Sequence, residues 1–99
     1  MRRLGSVGAL RAAYDVAIVG AGPAGLAAAA TCAQGGLDVL LLDENTGMGG
    51  QVYRGVERAA GHTTPALAGA YDRGAALAAA TESAALDALF GAAVWHLDP

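Results

Sequence analysis

Apolar residues along this 99-residue chain gather in short blocks separated by glycines and acids, and no single period runs through them. Tyr14–Gly20 (YDVAIVG) is rich in β-branched residues and stops at a glycine, which predicts a buried strand. Pro23–Gln34 consists almost entirely of good helix formers. Pro23 suits the first helical position, and Gly35-Gly36 supplies a stop. Leu37–Leu42 (LDVLLL) is too short an apolar run for a helix and predicts a second strand. Asp43-Glu44 ends it, and Asn45-Thr46-Gly47 reads as a turn. Gly55–Gly69 reads as loop with a short helical piece. Asp72–Phe90 is expected as a helix in which Leu86 faces Leu89 and Phe90 while Glu82 and Asp87 face water. A third strand is expected over Ala92–Leu97. Met1–Ala13 carries no period and reads as a flexible extension ahead of a domain spanning residues 14–99.

Two apolar strands flanking an alanine-rich helix make a βαβ unit. The implied fold class is α/β, the βαβ start of a doubly wound Rossmann-like sheet, incomplete at this length. Continuous apolar strands of this kind are expected to be covered on both faces, with a right-handed crossover.

Composition changes this picture in three ways. Roughly a quarter of the residues are alanine and 15 are glycine, against one Trp, one Phe and three Tyr. Such residues bury little area each, so the 55% apolar content overstates the core. Second, the net charge of −3, with six scattered arginines, excludes a nucleic-acid surface, which needs clustered positive charge. Third, the single Cys32 rules out an internal disulfide and a cysteine-rich metal site, and fits a reducing cytoplasm. Val16–Leu42 carries one charge, Asp38, yet its many glycines, Pro23 and Gln34 argue against a membrane span.

The chemistry concentrates in Gly20-Ala21-Gly22-Pro23-Ala24-Gly25, a G-x-G-x-x-G placed between the first strand and the helix. The first glycine permits the tight turn out of the strand. The second, having no Cβ, lets a pyrophosphate approach the backbone, and the third lets helix and strand pack closely. Free N–H groups and the positive end of the helix then receive phosphate. Asp43 stands 23 residues after Gly20, at the end of the second strand, where a carboxylate meets an adenosine ribose. Glu44 is adjacent and able to take or share that role. An acid here favours an unphosphorylated ribose.

With those residues in place, Tyr14–Gly55 resembles the FAD-binding segment of two-dinucleotide-domain flavoproteins, most closely the FAD subunits of opine oxidase, hydroxyproline dehydrogenase and hydrogen cyanide synthase type enzymes. The string Gly49-Gly50-Gln51-Val52-Tyr53-Arg54 matches the GGQ-(Ile/Val)-aromatic-Arg pattern of that group. The resemblance implies FAD as cofactor, with Gly20, Gly22, Pro23, Ala24 and Gly25 at the pyrophosphate and Asp43 or Glu44 at the ribose. Gly49, Gly50 and Gln51 would approach the ribityl-phosphate region. It implies an oxidoreductase that takes a hydride from a C–H beside an amine or from a nicotinamide. Members of the group run to several hundred residues, so catalytic completeness is not expected of these 99, and another chain completing the sheet or the enzyme is.

No residue stands out as acid, base or nucleophile. Ser6 and Ser83 lack a nucleophile-elbow context, and His62 and His96 lack second ligands at metal spacing. Cys32 reads as a small core residue, and Phe90 and Trp95 as core anchors. Two alternatives remain open at this point. One is a non-catalytic or partner-dependent dinucleotide-binding module, and the other is a plain NAD-binding domain.

Overall fold

The computed structural model describes residues 1–48 and 65–98, the backbone alone over 65–72. Its elements are β1 (Arg2–Arg3), a 3-10 turn (Val7–Ala9), β2 (Val16–Val19), α1 (Pro23–Gln34), β3 (Val39–Asp43), α2 (Pro65–Glu82) and β4 (Asp87–Phe90). The four strands form one sheet in the order β1-β4-β3-β2, and every pairing is parallel. This is the expected α/β class. The expected strand–helix–strand unit is present, and α1 occupies the residues assigned to it.

The core forms where α1 meets the middle of the sheet. Leu26 and Ala29 from α1, Val39 and Leu41 from β3, and Leu86 and Ala88 at β4 make one buried cluster. Leu77 of α2 packs against it. The two helices also touch, and the fully buried Thr81 hydroxyl donates to the Leu77 carbonyl at 2.8 Å and reaches the Leu26 carbonyl at 3.3 Å. Alanine and glycine permit that closeness, which is how a chain so poor in large side chains still forms a core.

Four expectations need correction. The second helix starts at Pro65 and ends at Glu82, so Leu86, Leu89 and Phe90 do not share a helical face. They belong to the β4 region, where Leu86 and Ala88 join the core cluster and Asp87 and Leu89 alternate with them. A run as short as LDALF satisfies both periods, and pairing with β3 decided between them. Consequently the third strand lies at Asp87–Phe90, while Ala92–Leu97 is irregular and leaves Trp95 89% exposed instead of anchoring the core. Asp87, expected on a solvated face, is buried. The sheet is also not covered on both faces along its whole width, since Ala17 and Val19 of β2 are exposed.

The start of the chain differs too. Where a flexible extension was expected, Arg2 and Arg3 pair with Asp87 and Ala88. The Arg2 amide donates to the Leu86 carbonyl at 2.7 Å and the Leu4 amide to that of Ala88 at 2.8 Å. Two consecutive arginines in an otherwise unremarkable stretch give no period for a strand to be read from.

Candidate nucleotide site

Because all strands run the same way, the turns that follow β2, β3 and β4 lie at one end of the sheet. The turn after β2 carries the glycine motif. Gly20 has φ +109°, a conformation that costs a side-chain-bearing residue heavily, and its amide donates to the Leu42 carbonyl at 2.7 Å. Gly22 caps α1 in an extended conformation with Pro23 in the first turn. The Leu26 amide donates back to the Gly22 carbonyl at 2.9 Å. The first-turn amides ahead of it have no partner within the helix, so they point into the space before it.

The second and third glycines of the motif face different surroundings. A Cβ on Gly25 would lie 1.7 Å from the Gly20 carbonyl oxygen and 3.5 Å from Ile18, so helix and strand meet there in direct backbone contact. A Cβ on Gly22 would meet nothing within 4 Å. The Gly22 position therefore opens onto free space at the positive end of α1, which suits an approaching anion.

Asp43, the last residue of β3, is 8% exposed. Its Oδ2 accepts the Ala21 amide at 2.6 Å, and its Oδ1 accepts the Asn45 amide at 2.7 Å. Glu44 follows it and is exposed. The turn after β4 joins through two further bonds, from the Gly91 amide to the Asn45 carbonyl at 2.9 Å and from the Ala92 amide to the Asp43 carbonyl at 3.0 Å. Between these turns lies a cleft of about 280 Å³ lined by Val19, Gly20, Asp43, Glu44, Asn45, Ala92, Ala93 and Val94. A larger cavity of about 460 Å³ sits at the opposite end of the sheet, against Met1, Arg2, Arg11, Ala85, Leu86 and Asp87. Open α/β sheets bind ligands outside the carboxyl ends of their strands, so size does not decide in its favour.

Of the residues singled out from sequence, Gly20, Asp43 and Glu44 line the cleft, and Gly22, Pro23, Ala24 and Gly25 form the turn and helix start beside it. Gly49, Gly50 and Gln51 lie outside the described residues. Sequence reasoning missed Asn45 and Ala92–Val94. The glycine after β4 was the available signal: Gly91, at φ +73°, turns the chain back over the strand ends.

The residues fit a dinucleotide on these observations: free space at Gly22, two carboxylates at the strand ends and, among the described residues lining the cleft, no basic side chain to favour a 2′-phosphate. No described helix is long and apolar enough to cross a membrane.

Comparison with known proteins agrees with this geometry. Residues 18–93 match the model of the NAD(P)-binding Rossmann-like domain. The chain is 38% identical over 98 residues to an opine oxidase subunit from Rhizobium meliloti, a match covering 99% of this chain and 19% of that protein. It is 40% identical over 85 residues to the corresponding opine oxidase subunit from Agrobacterium tumefaciens (strain Ach5), covering 86% and 17%. A shorter match, 54% identical over 39 residues, covers 39% of this chain and 10% of a digeranylgeranylglycerophospholipid reductase from Methanosarcina mazei. The chain thus spans about a fifth of the length of the curated opine oxidase relatives it matches. Glycine turn, acidic strand end and parallel sheet together with the family match place this chain in the NAD(P)-binding Rossmann-like domain family.

Proposed function

We propose that these residues form the adenosine and pyrophosphate half of an FAD site within a larger flavin-dependent oxidoreductase. The single observation that carries the reading is the open position at Gly22, at the start of α1, beside a cleft edged by Asp43 and Glu44. Backbone amides of the first helical turn bind the pyrophosphate, and the acidic pair accepts hydrogen bonds from the ribose. Gly49, Gly50 and Gln51 are assigned to the ribityl-phosphate side by their match to the GGQ string. The choice of FAD over NAD rests on that string and on the similarity to the opine oxidase relatives over nearly the whole chain. By the same similarity the substrate class is an amine or amino-acid-like compound whose C–H beside nitrogen is oxidised.

The bound flavin would supply hydride acceptance, and the chain's own residues supply affinity and orientation. No described side chain is placed to move a proton to or from a substrate. The test is direct. Protein purified and incubated with excess FAD is expected to retain a yellow chromophore with a shifted absorbance band and to melt at a higher temperature. Colourless protein with an unchanged melting temperature would overturn the reading. A thermal shift with NAD and none with FAD would favour a plain NAD-binding domain.

A further inference from the structure

The two edges of the sheet are joined by a segment in which no residue is buried. β1 stands at one edge and β2 at the other, so the residues between them cross the full width of the sheet. All of residues 1–14 are exposed or half-buried, and Val7 is 69% exposed. Of their apolar side chains, Met1 alone packs against the core cluster. The contact beneath them is loose as well. The cavity of about 460 Å³ lies between Met1, Arg2 and Arg11 on the segment and Ala85, Leu86 and Asp87 on the body of the fold. Apolar burial therefore does little to hold the segment down, and charge takes its place. Three of the chain's six basic residues lie in its first eleven positions, and each faces an acid outside the segment. We propose that residues 1–14 are a strap latched by charge, which opens as a unit while β2, β3, β4 and the glycine turn stay closed. The proposal goes beyond the dinucleotide reading and does not depend on it.

The latch has three points. At the β4 edge, Arg2 grips Asp87 through Nε and Nη2, both at 2.9 Å, beside the bond from its own amide to the Leu86 carbonyl. Arg3 holds Glu82 at the end of α2 through both Nη atoms, with Nη2 2.7 Å from Oε2, and its guanidinium lies 5.8 Å from the centre of the Phe90 ring. Farther along, Arg11 lies between two acids, 3.4 Å from Asp38 and 3.5 Å from Asp87. Asp87 serves the first and third points and also accepts the Tyr14 hydroxyl at 2.6 Å, so loosening one point loosens the other. The three arginine side chains are between 46% and 62% exposed, within reach of counterions, so salt weakens the latch. The body of the fold rests instead on Leu26, Val39 and Leu41, all wholly buried, which salt does not screen. Opening the strap frees the Leu86 and Ala88 carbonyls and bares the outer edge of β4.

Residue-resolved hydrogen exchange on the full chain tests this. The Arg2, Leu4 and Arg11 amides, bonded to the Leu86 carbonyl, the Ala88 carbonyl and the Tyr14 hydroxyl, report on the strap. The Gly20 and Leu26 amides, bonded to the Leu42 and Gly22 carbonyls, report on the body. Raising sodium chloride from about 0.1 M to about 1 M shortens the screening length roughly threefold. The three strap amides should then exchange faster by a common factor of about ten, while the two others stay within a factor of about two. Arg3→Glu should speed the strap amides about fivefold, and Glu82→Arg should do the same. The double variant restores opposite charges and should return to within a factor of about two of wild type. Exchange that is equally slow and equally indifferent to salt in strap and body would overturn the proposal. A salt response at Leu4 without one at Arg11 would overturn it too, and so would a double variant as fast as the product of the single ones. Both substitutions fall on exposed side chains, and the salt series on wild type decides without them.

Discussion

Asp43 and Asp87 are both buried, yet they hold the molecule together in opposite ways. Asp43 closes β3 and accepts amides from turns at the carboxyl ends of the strands. Asp87 opens β4 at the other end of the sheet, and its partners are side chains. Arg2 grips it through Nε and Nη2, both at 2.9 Å, the Tyr14 hydroxyl donates at 2.6 Å, and Arg11 Nε stands 3.5 Å away. Every one of these groups comes from residues 1–14. A carboxylate fed by the backbone fixes main-chain shape, which a nucleotide site needs in advance of binding. A carboxylate fed by distant side chains fastens one segment to another. One end of the sheet is therefore arranged around the turn proposed to receive a nucleotide, and the other around the chain's own beginning.

The most drastic intervention is at the ligand end. Gly25→Ala puts a Cβ 1.7 Å from a carbonyl oxygen that cannot move without shifting β2. A loss of at least about 3 kcal/mol, or failure to fold, is expected in urea denaturation. Wild-type stability would mean that α1 does not meet β2 as described. At the opposite end, Asp87→Asn removes the charge and leaves one accepting oxygen where two serve Arg2 and Tyr14. A loss of roughly 1–3 kcal/mol is expected, with faster exchange at the Arg2 and Leu4 amides and no change in nucleotide affinity. A large loss of affinity in this variant would show that the two ends are coupled.

Acid acts on the same end more gently. The Arg2 guanidinium, helped by Tyr14, holds the Asp87 carboxyl below its usual value although burial opposes this. Glu82, bonded to Arg3, is likewise lowered. Their folded forms bind protons less readily than the unfolded chain. The stabilisation is therefore complete above the ordinary carboxylate range, about pH 4, and is lost as pH falls through the folded values. Urea midpoints measured downward from about pH 5 should decline, and Asp87→Asn should decline less steeply. The smallest effect on stability belongs to Gly22→Val. Its side chain enters open space from an extended backbone, so stability should stay within about 0.5 kcal/mol of wild type. Nucleotide affinity should nevertheless fall at least about a hundredfold, because the side chain blocks the phosphate path. Destabilisation with intact binding would reverse the roles given to Gly22 and Gly25.

How far the sequence carried differs along the chain, for reasons visible in particular residues. The glycine turn, α1 and β3 were readable because each local signal (β-branched run, Pro23, the Gly35-Gly36 stop) agrees with the others. Leu86–Phe90 was misread because five residues satisfy a helical and a strand spacing equally well. Trp95 was misplaced because size alone says nothing about whether a neighbour exists to cover it. Asp87 was misplaced because its partners lie 73 and 85 residues away in sequence.

The amino-acid sequence alone decided the strand, the turn, the helix and the acid that ends the next strand. These depend on backbone conformation and on groups close along the chain. Tertiary structure decided that Asp43 faces inward to the Ala21 amide while Glu44 stays on the rim. It also decided that the first residues close the sheet beside β4. Both outcomes depend on which surfaces meet once the strands are parallel and in register, and no local propensity encodes that meeting.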